Sequence, residues 1–218
     1  MHYREFTDEP SEQIALLPFG IDIVAASYLR YGETALFIQS LINQSCHNWK
    51  LYLIHDGYDA SFYQLKKEFA EDMYRIRLMH TEKRYNDYGH SLRDVGLNVT
   101  TAEYVLVTNS DNYYLPSFLS YACLAIGASK PDALIFDMVH GHTNPGGRRQ
   151  LAHCFFNTVY ELDSIDIGAA VVKGSLAREV GFKGRHFAAD WQYLSDVRHA
   201  AGPAFNITKI PRCLLVHN

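Results

Sequence analysis

The sequence predicts an α/β fold with a mostly parallel central sheet flanked by helices, forming one domain over residues 1–218. Three observations predict it. Short apolar runs alternate with stretches of helical periodicity. The segments between the runs are long enough to hold crossover helices of ten to fifteen residues. Several runs end directly in polar or acidic residues, as strands do where they leave a buried sheet.

Taken in order, Ile21 to Ser27 (IDIVAAS) is a short apolar run of the kind found in buried parallel strands. A helix is expected from about Glu33, with Ala35, Ile38, Leu41 and Ile42 on one face. Leu51 to Ile54 gives the second strand, stopped by His55-Asp56-Gly57. A second helix carries Phe62, Leu65, Phe69 and Met73 inward, and Ile76 to Met79 forms the third strand. A helix near Ser91 to Val99 leads into a strand at Tyr104 to Thr108. Pro116 then opens a further helix, where a missing N–H is harmless. Ala133 to Val139 is the next strand. The Gly- and Pro-rich stretch from His140 to Gln150 interrupts the rhythm as an exposed loop. Ile167 to Val172 is expected as a strand, Ser175 to Val180 and Ala189 to Arg198 as helices, and two final strands should end at His217-Asn218.

Composition narrows the function. A hydrophobic content of 48% with 20% charged residues is that of a globular chain, not a disordered one. The net charge of -4 and the scattered basic residues oppose nucleic-acid binding. Cys46, Cys123, Cys154 and Cys213 form no CxxC pair, which opposes a zinc ribbon or redox motif. Cys123 and Cys213 lie in apolar runs and are expected in the core. The first eleven residues are polar and mixed in charge, unlike a signal peptide, and no apolar run approaches the roughly 20 residues that span a bilayer. The expected location is the reducing cytoplasm, with at most peripheral contact with a membrane.

In open parallel sheets, ligands bind beyond the carboxyl ends of the strands. Tyr28 and Arg30 follow the first strand, Asp56 the second, and Asn109-Ser110-Asp111-Asn112 the fourth. No strand is followed by GxGxxG or GxxxxGK[ST], which opposes a dinucleotide-binding dehydrogenase or a P-loop enzyme. The oxygen-rich run at 109–112 suits Mg²⁺ or Mn²⁺, although the same residues also favour a plain turn. His140, His142 and His153 allow a metal-hydrolase alternative, but His-x-His is weakly specific and no acidic motif surrounds it. Ser175 in KGSLAR lacks the GxSxG elbow of a serine hydrolase.

From Ile21 to His217 the chain resembles glycosyltransferase family 2, the nucleotide-diphospho-sugar transferases of GT-A fold. IDIVAASYLRYGETALFIQSLINQSCHNWKLYLIHDG is similar to the family's opening pattern. NDYGHSLRDVGLNVTTAEYVLVTNSDNYYLP is similar to its approach to an acidic metal motif. IDIGAAVVKGSLAREVGF and AADWQYLSD are similar to its acceptor-side and base segments. The resemblance implies an inverting, metal-dependent transfer from a nucleotide-diphosphate sugar, with UDP as the nucleotide, to a glycan or glycolipid hydroxyl. It implies a hexosyl- or N-acetylhexosaminyl-transferase of the kind used in polysaccharide biosynthesis.

It also implies roles for single residues. Tyr28 stacks on the base, and Asp56 accepts a hydrogen bond from it. Arg93 faces the diphosphate, and Asn109 and Ser110 contact the nucleotide. Asp111 and His217 hold Mn²⁺ or Mg²⁺, and Asp190 is the general base. Each has a plainer reading: a packed turn tyrosine for Tyr28, a turn residue for Asp56, a chain-end residue for His217 and a helix cap for Asp190. Arg148 and Arg149 are further diphosphate candidates on a loop that could close over the donor. The sequence departs from the family pattern at Asn109, where Asp is common, at Ala189, where Glu often precedes the base, and at Asp94, where Asn usually follows the arginine. The Asn109 departure keeps a non-catalytic sugar-nucleotide-binding module as an alternative.

Overall fold

The computed structural model describes residues 3–10, 20–141, 153–186 and 188–218. Strands β1 (Arg4–Glu5), β2 (Ile21–Ser27), β3 (Trp49–His55), β4 (Ile76–His80), β5 (Tyr104–Asn109), β6 (Tyr113–Tyr114), β7 (Ala133–His140), β8 (Cys154–Phe156), β9 (Ala170–Lys173) and β10 (Ile207–His217) share one sheet. Its order is β1-β10-β7-β9-β5-β2-β3-β4, with β6 on β10 and β8 on β7. The β2, β3, β4 and β5 pairings are parallel, as are those of β10 with β7 and β1. Antiparallel β9 joins the two parallel halves by pairing with both β5 and β7.

The helices are α1 (Tyr31–Ile42), α2 (Leu65–Glu68), α3 (His90–Leu97), α4 (Phe118–Ser129), α5 (Gly174–Val180) and α6 (Ala189–Ala201). They cover both faces of the sheet because side chains alternate along each strand. In β2, Ile21, Ile23 and Ala25 join a core with Phe37, Ile38 and Leu41 of α1 and Phe118 and Ala122 of α4. Val24 and Ala26 face the other way, into a core with Leu92 of α3 and Tyr193 and Val197 of α6. Gly96 lets α3 lie directly on the sheet, since a Cβ there would stand 2.2 Å from Val24 Cγ1. Buried Gln44 ties the end of α1 to the start of α4: its amide donates to Leu115 O (2.8 Å) and its Oε1 accepts from Leu119 N (2.9 Å).

Four expected elements differ. The helix expected through Phe62 and Met73 is broken into 3-10 turns at 62–64 and 70–72 around the four-residue α2. Phe62, Leu65 and Phe69 still point inward, because one-turn pieces keep a similar spacing of buried residues. Residues 167–169 form a 3-10 turn before β9 rather than strand, since Asp166 accepts the Gly168 N–H (2.7 Å) and closes the turn. The two final strands are one. β10 runs through Pro211, with register shifts between Ile210 and Cys213 and again between Cys213 and Leu215 that absorb the missing donor. Cys213, expected in the core, is only half-buried. Among the described residues, no helix is long and apolar enough to cross a membrane.

Candidate active site

The carboxyl ends of β2, β3 and β5, the first turn of α6 and the end of β10 surround a cleft of about 820 Å³. Tyr28, Asp56, Arg93, Asn109, Ser110, Asp111, Asp190 and His217 all line it. These residues lie far apart in the chain, and the sheet topology brings them together.

The wall at β2 and β3 is aromatic and charged. Beyond Ser27 the backbone turns through Leu29, whose φ of 58° is left-handed, with Leu29 N donating to His55 Nε2 (3.3 Å). This leaves Tyr28 at the cleft, 37% exposed, with the Arg84 guanidinium 4.0 Å from its ring centroid. A planar ring facing the cleft can stack on a base. Asp56 is buried, and its two oxygens accept the Tyr85 and Asn86 N–H groups (2.7 and 2.9 Å). It therefore fixes the loop before α3. A carboxylate offers about four acceptor sites, so Asp56 retains capacity for a ligand donor.

Gly89, with φ 81°, makes the turn into α3. A Cβ at that position would lie 2.7 Å from Ala26 Cβ. One turn on, Arg93 is almost fully buried. Its Nη1 donates to Asp190 Oδ1 (3.1 Å) and to His90 Nδ1 (2.8 Å), and its Nη2 donates to Asn109 Oδ1 (2.7 Å). The arginine expected at the diphosphate is thus the hub that joins the β5 motif to α6. A guanidinium only donates, so His90 Nδ1 is unprotonated and Nε2 donates to His186 O (3.1 Å). Burial, then the adjacent Arg93 charge, lowers the His90 pKa to about 4. Burial raises Asp190, partly offset by Arg93, while its side chain stays 30% exposed. A carboxylate kept basic and open to a cleft suits proton acceptance.

At the end of β5, Ser110 is buried in a hydroxyl chain with Thr34 Oγ1 (3.1 Å). Asp111 Oδ2 accepts from Arg30 Nη1 (2.5 Å). Asp111 Oδ1 is buried, with no hydrogen-bond partner among the described residues, and the same is true of His217 Nδ1. His217 reaches the cleft from β10, stacked on His140 with centroids 4.0 Å apart. Its Nε2 lies 3.1 Å from Asp166 Oδ2. Burial alone would lower its pKa, but the hydrogen bond and charge of Asp166, with the charges of Asp111 and Asp190, raise it. Asp166 is held low despite burial, through His217 and the Gly168 N–H.

Among the described residues, no three His, Cys, Asp or Glu side chains are grouped so as to hold a metal ion by themselves. Two buried, unpartnered donor atoms on Asp111 and His217 nevertheless fit an ion whose remaining positions are filled by substrate phosphate and water, the usual habit of Mg²⁺ and related cations.

The glycosyl transferase family 2 model matches residues 22–183, most of the chain. The chain belongs to glycosyltransferase family 2. No curated protein matches it. Among solved structures it is similar to S. aureus TarS 1-349 (TM-score 0.73, 15% identity, covering 91% of this chain and 60% of that one). It is also similar to TarS 1-349 in complex with UDP-GlcNAc (TM-score 0.73, 16% identity, 90% and 58% covered). A third is the mannosyltransferase PcManGT from Pyrobaculum calidifontis in complex with GDP-Man and Mn²⁺ (TM-score 0.65, 13% identity, 95% and 58% covered). The chain therefore spans about three fifths of the length of these structures. The fold of this family 2 domain is the GT-A fold.

His142, Arg148 and Arg149 lie outside the described residues. His140, offered as half of a His-x-His pair, instead packs on His217. Asp166, Arg30, Arg84 and His90 line the cleft beside the expected residues. For Asp166, the one signal that could have found it is the Asp-x-Gly spacing to Gly168, which favours a turn. Arg30 is marked by its place just past the first strand, whereas nothing in the sequence distinguishes Arg84 and His90 from surface or helix residues.

Proposed function

We propose that this chain is an inverting glycosyltransferase that moves a sugar from a nucleoside-diphosphate donor, a UDP-sugar, to a hydroxyl of a glycan or glycolipid. The observation that carries the reading is the single cleft shared by Asp190, Asp111 and His217, with Asp190 tied to the β5 motif through Arg93. Support also comes from family membership and from neighbours bound to UDP-GlcNAc or GDP-Man.

In this reading Tyr28 stacks on the base and Asp56 accepts from it, while Asn109 and Ser110 border the nucleotide. Asp190 takes the proton of the acceptor hydroxyl as that oxygen attacks the anomeric carbon. The bond from that carbon to the diphosphate breaks on the opposite side, which inverts the configuration. A positioned base of this kind contributes about 10²–10⁴-fold. Arg93 holds the Asp190 carboxylate in place during the transfer. Asp111 Oδ1 and His217 Nδ1 would hold a Mn²⁺ or Mg²⁺ ion, which offsets charge on the departing diphosphate. A hexosyl or N-acetylhexosaminyl group is the cargo, and the acceptor is met in the cytoplasm or at its membrane surface.

The test is calorimetric titration of UDP with and without Mn²⁺, on the wild type and on Asp111→Ala. Metal-enhanced binding that Asp111→Ala abolishes is the expected result, followed by transfer from a panel of UDP-sugars. UDP binding indifferent to metal and to Asp111, with no transfer, would instead favour a binding module. That alternative draws on the Asn109 amide, which stands in the metal motif and is engaged by Arg93.

A further inference from the structure

We propose that Arg30 is an exchangeable counter-cation of this site: its guanidinium holds Asp111 until a divalent cation takes that carboxylate, and then pairs with the phosphate oxygens of the nucleoside diphosphate. The proposal rests on the nucleotide-diphosphate reading above and gives that site a charged residue with a defined exchange.

The backbone of Arg30 is fixed. Its N–H donates to Tyr28 O (2.8 Å) and its carbonyl accepts from Thr34 N (2.8 Å) at the start of α1. The side chain is not confined in the same way. It is 60% exposed and crosses the cleft from the end of β2 to Asp111 at the end of β5, whose side chain is 18% exposed. The aspartate is therefore the anchored half of the pair and the arginine the solvated, movable half.

Among the described residues, the other guanidiniums of the cleft are committed. Arg93 is buried and shared among Asp190, Asn109 and His90. Arg84 lies over the Tyr28 ring, with Nε 3.9 Å from Asp56. Arg30 alone of the three combines exposure with a contact to the carboxylate expected to meet a metal.

Asp111 makes the exchange necessary. Its Oδ2 is held by Arg30, and its Oδ1 is a buried acceptor with no partner among the described residues. A dication on Oδ1 and a guanidinium on Oδ2 would stand within a few ångströms of each other, where like charges in a half-buried site repel strongly. An arginine fork displaced from a carboxylate finds an equally suitable partner in phosphate oxygens. The ion pair is part-exposed and holds Arg30 by about fivefold at most in an equilibrium, so the exchange is accessible. It follows that the diphosphate and the divalent cation assist each other, since the diphosphate draws Arg30 off Asp111.

The experiment measures two bindings that should move in opposite directions. Mn²⁺ binding without nucleotide is followed by the loss of the free-ion paramagnetic resonance signal. UDP binding without metal is followed by calorimetry, with UMP for comparison. In Arg30→Gln, Mn²⁺ should bind about threefold tighter and UDP about threefold weaker, the scale of one part-exposed ion pair. UMP, with one phosphate fewer, should change less. Arg30→Lys keeps the charge and should lie near wild type in both measurements. A purely structural role for Arg30 would weaken both ligands, and that outcome, or an unchanged Mn²⁺ affinity in Arg30→Gln, overturns the proposal. Wild type that binds Mn²⁺ and UDP while Arg30→Gln shows no opposed shifts refutes the role of Arg30 alone. Wild type that binds neither Mn²⁺ nor UDP, nor GDP in its place, refutes the nucleotide reading and this proposal with it.

Discussion

Asp166 Oδ2 lies 3.1 Å from His217 Nε2, so in the neutral imidazole the proton sits on Nε2 and Nδ1 keeps its lone pair. The other carboxylate oxygen is anchored by the Gly168 N–H at 2.7 Å. A carboxylate set behind a histidine in this way orients the ring and makes it a better ligand.

Asp166→Asn should therefore impair metal binding without a direct contact to the ion. The amide can keep the Gly168 bond through its oxygen, but its NH₂ would face Nε2 and move the histidine proton to Nδ1. Mn²⁺ affinity should fall about 10–100-fold, as for other outer partners of metal-bound histidines. A resonance titration of free Mn²⁺ measures this directly. Wild-type affinity in Asp166→Asn would remove Asp166 from the site.

Asp190→Asn should lower kcat by about 10²–10⁴-fold and leave UDP affinity nearly unchanged, since the asparagine oxygen still accepts from Arg93. The pH profile carries a second signature. Burial raises the Asp190 pKa, partly offset by Arg93. As the proposed base, Asp190 would act deprotonated, so kcat/KM should rise with pH through a midpoint shifted above that of an ordinary aspartate. That limb should be absent from the residual activity of Asp190→Asn. A drop in kcat matched by an equal loss of UDP binding would point to a structural defect.

His90 supplies a pH dependence of stability. Burial, then Arg93, lowers its pKa from 6.5 to about 4 in the folded chain. Between these values the unfolded chain binds a proton that the folded chain refuses. The stabilisation is full above pH 6.5 and is lost as pH falls toward 4. His90→Gln retains an acceptor for Arg93 but does not titrate. Urea unfolding at pH 7 and pH 4.5 should show a smaller acid loss in the variant than in wild type. Equal losses would place the acid sensitivity elsewhere.

The sequence was most legible where a buried strand ends abruptly in polar residues. The edges of β2, β3 and β5 were marked that way, and Tyr28, Asp56 and Asn109 to Asp111 line one cleft as a result. Less was legible where a role depends on tertiary contact. Arg93 looked like a phosphate ligand, because nothing local shows that α3 turns it toward Asp190, 97 residues later. Asp166 lies in IDIGAA, whose strand-like apolar pattern outweighs the Asp-x-Gly turn signal, and the Gly168 N–H bond to its carboxylate closes the turn. The broken helix around α2 has a similar cause, since apolar spacing reports which side faces inward and not which carbonyl each N–H meets.

The pairing of β10 with β7 bears on the order in which the cleft is assembled. The two strands are parallel, and His217 stands opposite His140 across a long intervening stretch of chain. Parallel pairs between distant segments form slowly, because the loop between them must close before any contact rewards it. A partly folded chain in which β2, β3 and β5 have already joined would hold Tyr28, Asp56 and Asp111 in place but lack the imidazole opposite them. If Asp111 and His217 hold the metal as proposed, uptake waits for this last pairing, and a refolding reaction followed by Mn²⁺ uptake should lag behind one followed by the helical signal.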